Sequence, residues 1–202
     1  YIWGYNGIYP IAKAVNAQLG EFAYSSFEDN ALINGGGCYG AEWSCGYGVI
    51  HSDDAHTGNR SLENQGSTIR SVKIFPAGIY KISLWAKNKA GYSGGAITGI
   101  PGEPMWPGDT VWKYNERIFT LFSAQSIVLS TTDNILIDDI CLYPVNTQMT
   151  TYTYEPLVGI TSSTDPNGVT TYYKYDGLGR LMQIEDDKGN VLKRYEYNYT
   201  NQ

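Results

Sequence analysis

The chain has 202 residues, of which 42% are hydrophobic and only 17% are charged, and its formal net charge is −6 at pH 7. This hydrophobic content is enough to bury a core, so disorder is excluded, and the excess of 20 Asp and Glu over 14 Lys and Arg argues against nucleic acid as a partner. No apolar run reaches the roughly 18 residues that a membrane span needs.

The N-terminal segment starts with Tyr1-Ile2-Trp3, without an initiating Met or the apolar core of a signal peptide. The chain stops on Thr200-Asn201-Gln202. We therefore expect a piece of a longer polypeptide or a mature segment. Its length allows one large all-β domain or two small ones.

The three cysteines leave the redox state open. Cys38 and Cys45 stand seven residues apart in a Gly-rich stretch, and a disulfide between them would leave Cys141 free in a strand. The alternative is three buried thiols, each packing as a small hydrophobic group. No Cys-x-x-Cys pattern accompanies them, which disfavours a zinc site.

A short segment with two histidines invites a second metal interpretation. His51 and His56 flank Asp53 and Asp54, and such side chains can bind zinc. Because the segment is rich in turn residues and this spacing places the two rings poorly, a solvated loop is the favoured interpretation. Neither histidine lies near a recognisable nucleophile motif.

Residues 21–144 consist of short strand patterns separated by turns. Alternating apolar residues predict strands at residues 25–28, 60–63, 68–74, 79–86, 111–121, 126–129 and 134–143. Seven or eight short strands over this length predict a β-sandwich. No stretch has the 3.6-residue period of a helix.

The strand predicted at residues 79–86 has two different faces. Its apolar face consists of Tyr80, Ile82, Leu84 and Ala86, and its polar face, extended to residue 87, of Lys81, Ser83, Trp85 and Lys87. A ring on a polar, concave sheet can stack on the C–H face of a pyranose while its neighbours bind the hydroxyls. The candidate sugar-binding rings are Trp43, Tyr47, Trp85, Tyr92, Trp106 and Trp112.

The competing interpretation of these rings is structural. Trp112 and Tyr114 would then belong to the core, and Trp106 would pin the Pro-rich loop at residues 100–108. The sandwich would in that case serve a structural or protein-adhesion role. No pair of carboxylates is singled out for glycoside hydrolysis, so no catalytic residue is assigned.

Four segments of the middle region resemble carbohydrate-binding modules of the jelly-roll, galactose-binding-like kind. They are Ser26-Phe-Glu28, His56-Thr-Gly-Asn-Arg-Ser-Leu62, the strand from Ala77 to Lys87, and Leu136-Ile-Asp-Asp-Ile-Cys-Leu142. Their order and rough spacing fit the family, although the Asn-Gly that precedes Phe-Glu there is missing.

The same resemblance implies a structural calcium ion. In the family an early Glu and a closing Asp help to hold it, and the matching residues here are Glu28 and Asp138. Backbone carbonyls near Asn59 and Arg60 would supply further oxygens, since calcium takes six to eight. Solvated carboxylates are the alternative. In a regular strand Asp139 points away from Asp138, so the two cannot both face one ion.

The C-terminal part of the chain repeats itself. Tyr152-Thr-Tyr154 recurs as Tyr173-Lys-Tyr175 and Tyr195-Glu-Tyr197, and Asp165-Pro-Asn-Gly168 recurs as Asp186-Asp-Lys-Gly189. Each unit holds two alternating stretches joined by a turn. This pattern predicts antiparallel hairpins with a tyrosine ladder along one face.

These repeats resemble the YD repeat of bacterial RHS proteins. The resemblance is carried by Tyr175-Asp-Gly-Leu-Gly-Arg-Leu181 and Tyr195-Glu-Tyr197, and residues 1–12 and 151–161 also resemble stretches of RHS-type proteins from gut Bacteroidetes. In total, the resemblance to RHS-type proteins covers residues 1–19 and 147–202. It implies a secreted or cell-surface bacterial protein whose repeats form a long β-sheet, either as a shell around a toxin or as an adhesive stalk.

The sequence therefore predicts an all-β chain in which a jelly-roll β-sandwich, residues 21–144, is inserted into a small antiparallel YD-repeat β-sheet, residues 1–20 and 145–202. Because an inserted domain has adjacent termini, residues 1–11 should pair with the C-terminal hairpins. We expect a non-catalytic protein of adhesion or of a structural shell, with further YD repeats, another protein or a carbohydrate as partner. The alternative is a calcium-stabilised carbohydrate-binding module.

Overall fold

A computed structural model describes residues 1–29, 31–33, 37–40, 42–51 and 54–198 of the chain. Within these ranges the secondary structure is strand and turn without a helix, and hence without a helix that could span a membrane. In chain order the strands are β1 (Ile2–Gly4), β2 (Tyr9–Val15), β3 (Ala23–Ser25), β4 (Ala31–Ile33), β5 (Gly37–Tyr39), β6 (Trp43–Cys45), β7 (Gly48–His51), β8 (Ser61–Gln65), β9 (Thr68–Ser71), β10 (Gly78–Asn88), β11 (Ile97–Thr98), β12 (Lys113–Leu121), β13 (Val128–Thr131), β14 (Asn134–Pro144), β15 (Gln148–Glu155), β16 (Gly159–Thr164), β17 (Thr170–Tyr175), β18 (Leu181–Glu185) and β19 (Val191–Arg194).

The middle of the chain forms a sandwich of two antiparallel sheets. One has the strand order β12-β10-β14-β8-β7, with β3 also paired to β14, and the other has the order β11-β13-β9-β6-β5-β4. Side chains from both sheets share one buried cluster, which includes Trp43, Leu62, Ile82 and Leu129. The predicted β-sandwich is confirmed.

The two ends of the chain form a third sheet, which we call the repeat sheet. Its order is β1-β2-β15-β16-β17-β18-β19. The N-terminal β2 pairs with β15 through Ala12–Val15 and Gln148–Thr151. Because β2 and β15 are neighbours in space and the sandwich lies between them in sequence, the sandwich is inserted into the repeat sheet.

Three hairpin turns of the repeat sheet share one hydrogen-bonding pattern. They start at Asp165, Asp176 and Asp186, and in each the Asp Oδ1 accepts the backbone N–H groups two and four residues later. The glycine three residues after each Asp has a φ between 73° and 80°, a conformation that L side chains avoid. The Asp and the Gly of the repeat therefore have a shared role in closing these turns.

The sandwich packs against one face of the repeat sheet. A second buried cluster joins Ile11, Ala12 and Met149 of the sheet to Phe22 and Tyr24 of the sandwich side. Polar contacts continue the junction: the hydroxyl of Tyr172 donates to the carbonyl of His56 at 3.0 Å, and the N–H of Tyr5 donates to Asp29 Oδ2 at 2.9 Å. The orientation of the two parts is thus fixed by apolar burial and by hydrogen bonds.

Cys38 and Cys45 are joined in a disulfide between β5 and β6, where they stand directly opposite each other with Cα atoms 4.9 Å apart. Cys141 is a free thiol on β14. The first of the two interpretations of the cysteines therefore holds.

Candidate functional site

A cleft of about 450 Å³ lies between the sandwich and the repeat sheet. Its floor is the outer face of β10, β12 and β14, and its opposite wall comes from β15, from the turn at residues 164–168 and from Asp187. We call this space the junction cleft.

The floor is built from side chains that antiparallel pairing places in rows across three strands. Glu116, Ser83 and Cys141 form the middle row, with Tyr114 and Trp85 on one side and Lys81 and Tyr143 on the other. The alternation predicted for residues 79–87 is confirmed, since Tyr80, Ile82, Leu84 and Ala86 are buried in the core. The side of β10 opposite the core therefore faces the cleft.

The ring of Trp85 lies on the imidazole of His56. Their centroids are 3.7 Å apart and their planes differ by 13°. His56 Nδ1 lies 2.7 Å from Asp139 Oδ2, so a hydrogen bond fixes the imidazole that supports the indole. The position of Trp85 is consequently set without a ligand.

A β-bulge in β14 brings two carboxylates to the same loop. Ser83 pairs with Cys141 and Trp85 pairs with Asp138, so two steps on β10 oppose three on β14. Asp139 occupies the bulge with a φ of 49°. The expectation that Asp138 and Asp139 point apart applied to a regular strand, and the bulge removes that condition, so both carboxylates reach the same segment.

Both carboxylates of the bulge bind the segment His56–Thr57. Asp138 Oδ2 accepts the N–H groups of His56 at 2.8 Å and Thr57 at 3.0 Å. Asp139 Oδ1 accepts the hydroxyls of Thr57 at 2.7 Å and Tyr24 at 2.8 Å. Burial, followed by the proximity of Asp139, raises the pKa of Asp138 well above its usual range.

An ion pair joins β10 and β12 on the floor of the cleft. Lys81 Nζ lies 2.5 Å from Glu116 Oε2, and the hydroxyl of Tyr114 donates to the same oxygen at 2.9 Å. The hydrogen bond from Lys81 lowers the pKa of Glu116, while burial raises the pKa of Tyr114 to about 12. Glu116 is therefore an ionised acceptor.

The wall from the repeat sheet is a preformed turn. Asp165 Oδ1 accepts the N–H groups of Asn167 at 2.8 Å and Val169 at 3.0 Å. Asn167 lines the cleft beside Asp165, and Asp187 extends the same wall from the turn between β18 and β19. The cleft thus has one side from the inserted sandwich and the other from the repeats.

The predicted sugar-binding rings do not converge on one site, although Trp85 and Trp112 both contact the imidazole of His56. Trp43 is wrong as a binding residue, because it is 0% exposed and belongs to the sandwich core. Trp85 lines the junction cleft. Tyr47 and Trp106 are 50% and 53% exposed, but both lie outside the residues that line it.

The remaining two rings also lie outside the residues that line the junction cleft. Tyr92 borders a shallower, open depression of about 390 Å³, next to the ion pair between Lys89 and Glu63. Trp112 is half-buried, meets the His56 ring edge-on at 6.3 Å and carries the ammonium of Lys87 5.0 Å above its own ring.

The residues predicted to hold calcium do not fit the ion in this arrangement. Asn59 and Arg60 direct their N–H groups, rather than carbonyl oxygens, at Glu28 Oε1, at 2.7 Å and 2.6 Å. Asp138 likewise accepts N–H groups on both oxygens. Calcium needs a shell of oxygen ligands, and the described residues contain no group of three or more His, Cys, Asp or Glu that could hold a metal.

The segment with two histidines is described only in part. Asp53 and the side chain of His51 lie outside the described residues. Asp54 pairs with Lys87 at 2.6 Å, and His56 is part of the junction with Asp139. His56 therefore has a structural environment rather than that of a solvated loop.

Most of the residues that line the junction cleft were not predicted from the sequence. Once the side of each strand that faces the core is known, the alternation of β12 and β14 places Tyr114, Glu116 and Tyr143 on the opposite side, which faces the cleft. Asp165 and Asn167 were identified only as part of a recurring segment, because nothing in the local sequence places that segment opposite β10.

Comparison with known families identifies the C-terminal part of the chain. Residues 158–191 match the family model described as RHS Repeat. The matched range contains the turns that start at Asp165, Asp176 and Asp186. The predicted RHS repeat is confirmed for these residues, and no curated protein sequence matches the chain.

Several solved structures are similar to this chain. The CBM22-1 xylan-binding domain from Paenibacillus barcinonensis Xyn10C gives a TM-score of 0.42 and 13% identity, covering 61% of this chain and 94% of that one. The C-terminal family 22 carbohydrate binding module of Clostridium thermocellum Xyn10B gives 0.38 and 15%, covering 63% and 94%. The C-terminal CBM6 of LamC from Zobellia galactanivorans gives 0.35 and 14%, covering 60% and 98%.

Proposed function

We propose that the chain is a non-catalytic interaction module of a longer RHS-repeat protein that is secreted or displayed on the bacterial surface. In this proposal the repeat sheet is a rigid mount and the inserted sandwich is the element that meets a partner. Adhesion is the role that this arrangement supports best.

The observation that carries the proposal is the locked junction between the two parts. A hinge would leave a sandwich on two flexible connections, but here Tyr24, Met149 and Ala12 share a buried cluster. Tyr172 adds a hydrogen bond to the carbonyl of His56. A fixed orientation favours presentation of a binding surface, because less conformational entropy is lost when a partner binds.

The chemistry of the junction cleft favours binding over catalysis. Hydrolysis of a glycoside by two carboxyl groups needs one that stays protonated. Glu116 has a lowered pKa beside Lys81, and both oxygens of Asp139 accept hydrogen bonds from His56, Thr57 and Tyr24. Glu116 is therefore ionised rather than held as a general acid, and the hydrogen bonds of Asp139 hold the segment His56–Thr57 in place.

The disulfide supports an extracellular location. Disulfides form and persist in oxidising compartments and are rare in the cytosol of mesophiles. The bond between Cys38 and Cys45 joins two strands of the sandwich. An oxidising compartment would keep this bond intact and so would stabilise the sandwich.

A binding assay on intact surfaces tests the proposal. The fluorescently labelled full chain is titrated onto bacterial cells, epithelial cells and immobilised polysaccharides, with an unrelated acidic β-protein of equal size as control. We expect saturable binding to at least one surface that excess unlabelled chain removes. Retention no greater than that of the control on every surface would overturn the proposal.

A further inference from the structure

We infer that the junction cleft binds a neutral or amine-bearing oligosaccharide and that the binding site is built jointly by the sandwich and the repeat hairpins. This names the ligand of the interaction module proposed above and therefore rests on that proposal. Four properties of the cleft lead to it.

The first property is size and shape. The cleft measures about 450 Å³, inside the range of roughly 300 to 1,000 Å³ that is usual for small-molecule sites. Its floor is a sheet and its opposite wall is a hairpin turn, so the space is concave. Folded proteins usually bind each other through surfaces that are broader and flatter than this cleft, so its shape suits a small ligand better.

The second property is a rigid aromatic platform. One face of the Trp85 indole is covered by His56 at 3.7 Å, and the Tyr114 ring stands 5.6 Å away at 59°. Two inclined rings match the C–H faces of a pyranose, which are apolar patches on an otherwise polar molecule. Because His56 already fixes the indole, stacking of a sugar costs little side-chain entropy.

The third property is the mixture of polar groups around the platform. Ser83, Thr151 and Thr164 place hydroxyl groups along the cleft, and Asn167 adds an amide. Sugar hydroxyls both donate and accept hydrogen bonds, and hydroxyl and amide side chains do the same. Thr164 already shares a hydrogen bond with Thr170 at 2.9 Å, and a sugar hydroxyl can add to such a pair because a hydroxyl oxygen has two acceptor lone pairs.

The fourth property is charge. The carboxylates of Glu116, Asp139, Asp165 and Asp187 line the cleft together with the single ammonium of Lys81. Lys81 is already paired with Glu116. A surplus of negative charge repels uronates, sulfated sugars and sialic acids, and it attracts an amino sugar.

The composite construction has a consequence for specificity. Trp85 belongs to the sandwich, whereas Asn167 belongs to the first of the three Asp turns in the repeat sheet. Both walls are held by the same junction, so neither can move away independently. A change in the repeat turn should therefore alter the affinity for a ligand that stacks on the sandwich.

Titration calorimetry on the full chain tests the inference. The probes are neutral gluco-, manno-, galacto- and xylo-oligosaccharides, chitosan oligomers as the amine-bearing class, and oligogalacturonate and heparin fragments as the anionic class. The variants are Trp85→Ala and Asn167→Ala, and Trp106→Ala is the matched control because that ring is exposed outside the cleft.

We expect at least one neutral or amine-bearing probe to bind. Trp85→Ala should weaken it by about tenfold or more, Asn167→Ala by about three- to tenfold, and Trp106→Ala should leave it unchanged. Since Trp85→Ala removes a packed ring and can impair folding, Trp85→Phe provides a second test, with an intermediate affinity expected.

Three results would overturn the inference. The first is binding that is restricted to anionic probes, and the second is no sugar binding at all. The third is sugar binding that Trp106→Ala abolishes but that Trp85→Phe and Asn167→Ala leave unchanged. If sugars fail while the labelled chain still binds a cell surface saturably, only the ligand class is wrong and the proposed interaction function stands. If surface binding fails as well, both are wrong.

Discussion

The imidazole of His56 lies flat against the indole of Trp85, with their centroids 3.7 Å apart. The same residue binds Asp139 through Nδ1 at 2.7 Å and accepts a hydrogen bond from the Tyr172 hydroxyl at its carbonyl. His56 therefore connects the cleft floor, the bulge of β14 and the repeat sheet, and we regard it as the central residue of the junction.

Replacing His56 should loosen this junction. In His56→Ala, Asp139 loses one of its hydrogen-bond partners and the indole loses its support. We expect the free energy of unfolding to fall by about 2 to 3 kcal/mol. Urea unfolding followed by circular dichroism measures the change. Glu103→Ala, at an exposed position, is the control and should stay within about 0.5 kcal/mol of the parent chain. Equal stabilities of the two variants would show that His56 does not hold the junction.

The turn at Asp176 provides an internal comparison of two glycines. Gly179 has a φ of 73°, whereas Gly177 lacks a left-handed φ and has no atom within 4 Å of an added Cβ. Gly179→Ala should destabilise the hairpin by about 1 kcal/mol because of backbone strain. Gly177→Ala should be neutral or slightly stabilising, since it restricts only the unfolded chain. Amide hydrogen exchange in β17 and β18 measures both, and a larger loss for Gly177→Ala would contradict this account.

The strands that the sequence predicted well have a regular alternation and a long apolar face. β10 is the clearest case, since Ile82 and Leu84 point to the core and Trp85 lies on the cleft side, as its pattern predicts. The bulge at Asp139 was not predictable, because it depends on the pairing of β14 with its neighbours and on the loop at His56. One extra residue was enough to bring both carboxylates to the segment His56–Thr57.

The strands that were not predicted from the sequence are short and lie in a Gly-rich stretch of the chain. β5 and β6 each have three residues and are joined by the disulfide between Cys38 and Cys45, and β6 also pairs with β9. Local propensity is weak there, and long-range contacts determine the structure. The burial of Trp43 had one local signal, which is the alternation of apolar, polar and apolar residues in Trp43-Ser44-Cys45. In the structure Trp43 and Cys45 are buried and Ser44 is half-buried.

Calcium should have little effect on this fold. Glu28 and Asp138 accept N–H groups, and Asn59 and Arg60 do not offer the oxygens that the ion needs. We expect millimolar calcium or a chelator to change the Tm by less than about 2 °C. Differential scanning calorimetry in both conditions measures this, with magnesium as the control cation. A larger rise with calcium alone, lost in Glu28→Gln, would restore the calcium site that the sequence suggested.

Stability should depend on pH through Glu28. Burial raises the pKa of this carboxyl group from 4.5 to about 7, although hydrogen bonds from Asn59 and Arg60 act in the opposite direction. The folded state therefore binds this proton more tightly than the unfolded state does. Its contribution to stability is fully present below pH 4.5 and is lost as the pH rises through about 7.

The variant Glu28→Gln isolates this contribution. The amide oxygen can still accept from Asn59 and Arg60, but it carries no charge to desolvate. We expect the variant to be more stable than the parent chain at pH 8 by on the order of 2 kcal/mol, with a smaller difference at pH 4. Urea unfolding at several pH values measures it, and Glu103→Gln controls for the loss of an exposed charge. A difference that does not vary with pH would contradict the assigned pKa.

Reduction of the chain should destabilise the sheet that contains β4, β5 and β6. The bond between Cys38 and Cys45 closes a short loop, and the loss of a constraint of this length costs about 2 kcal/mol. Because these strands have only three residues each, their amides should lose protection against hydrogen exchange before those of β10. The double variant Cys38→Ala/Cys45→Ala is the control, since a reductant should not change its Tm.

Thiol titration of the unfolded chain provides a direct count: one thiol, that of Cys141, before reduction and three after it. Three thiols in the untreated protein, prepared from an oxidising compartment, would remove both the bond and the support that it gives to an extracellular location.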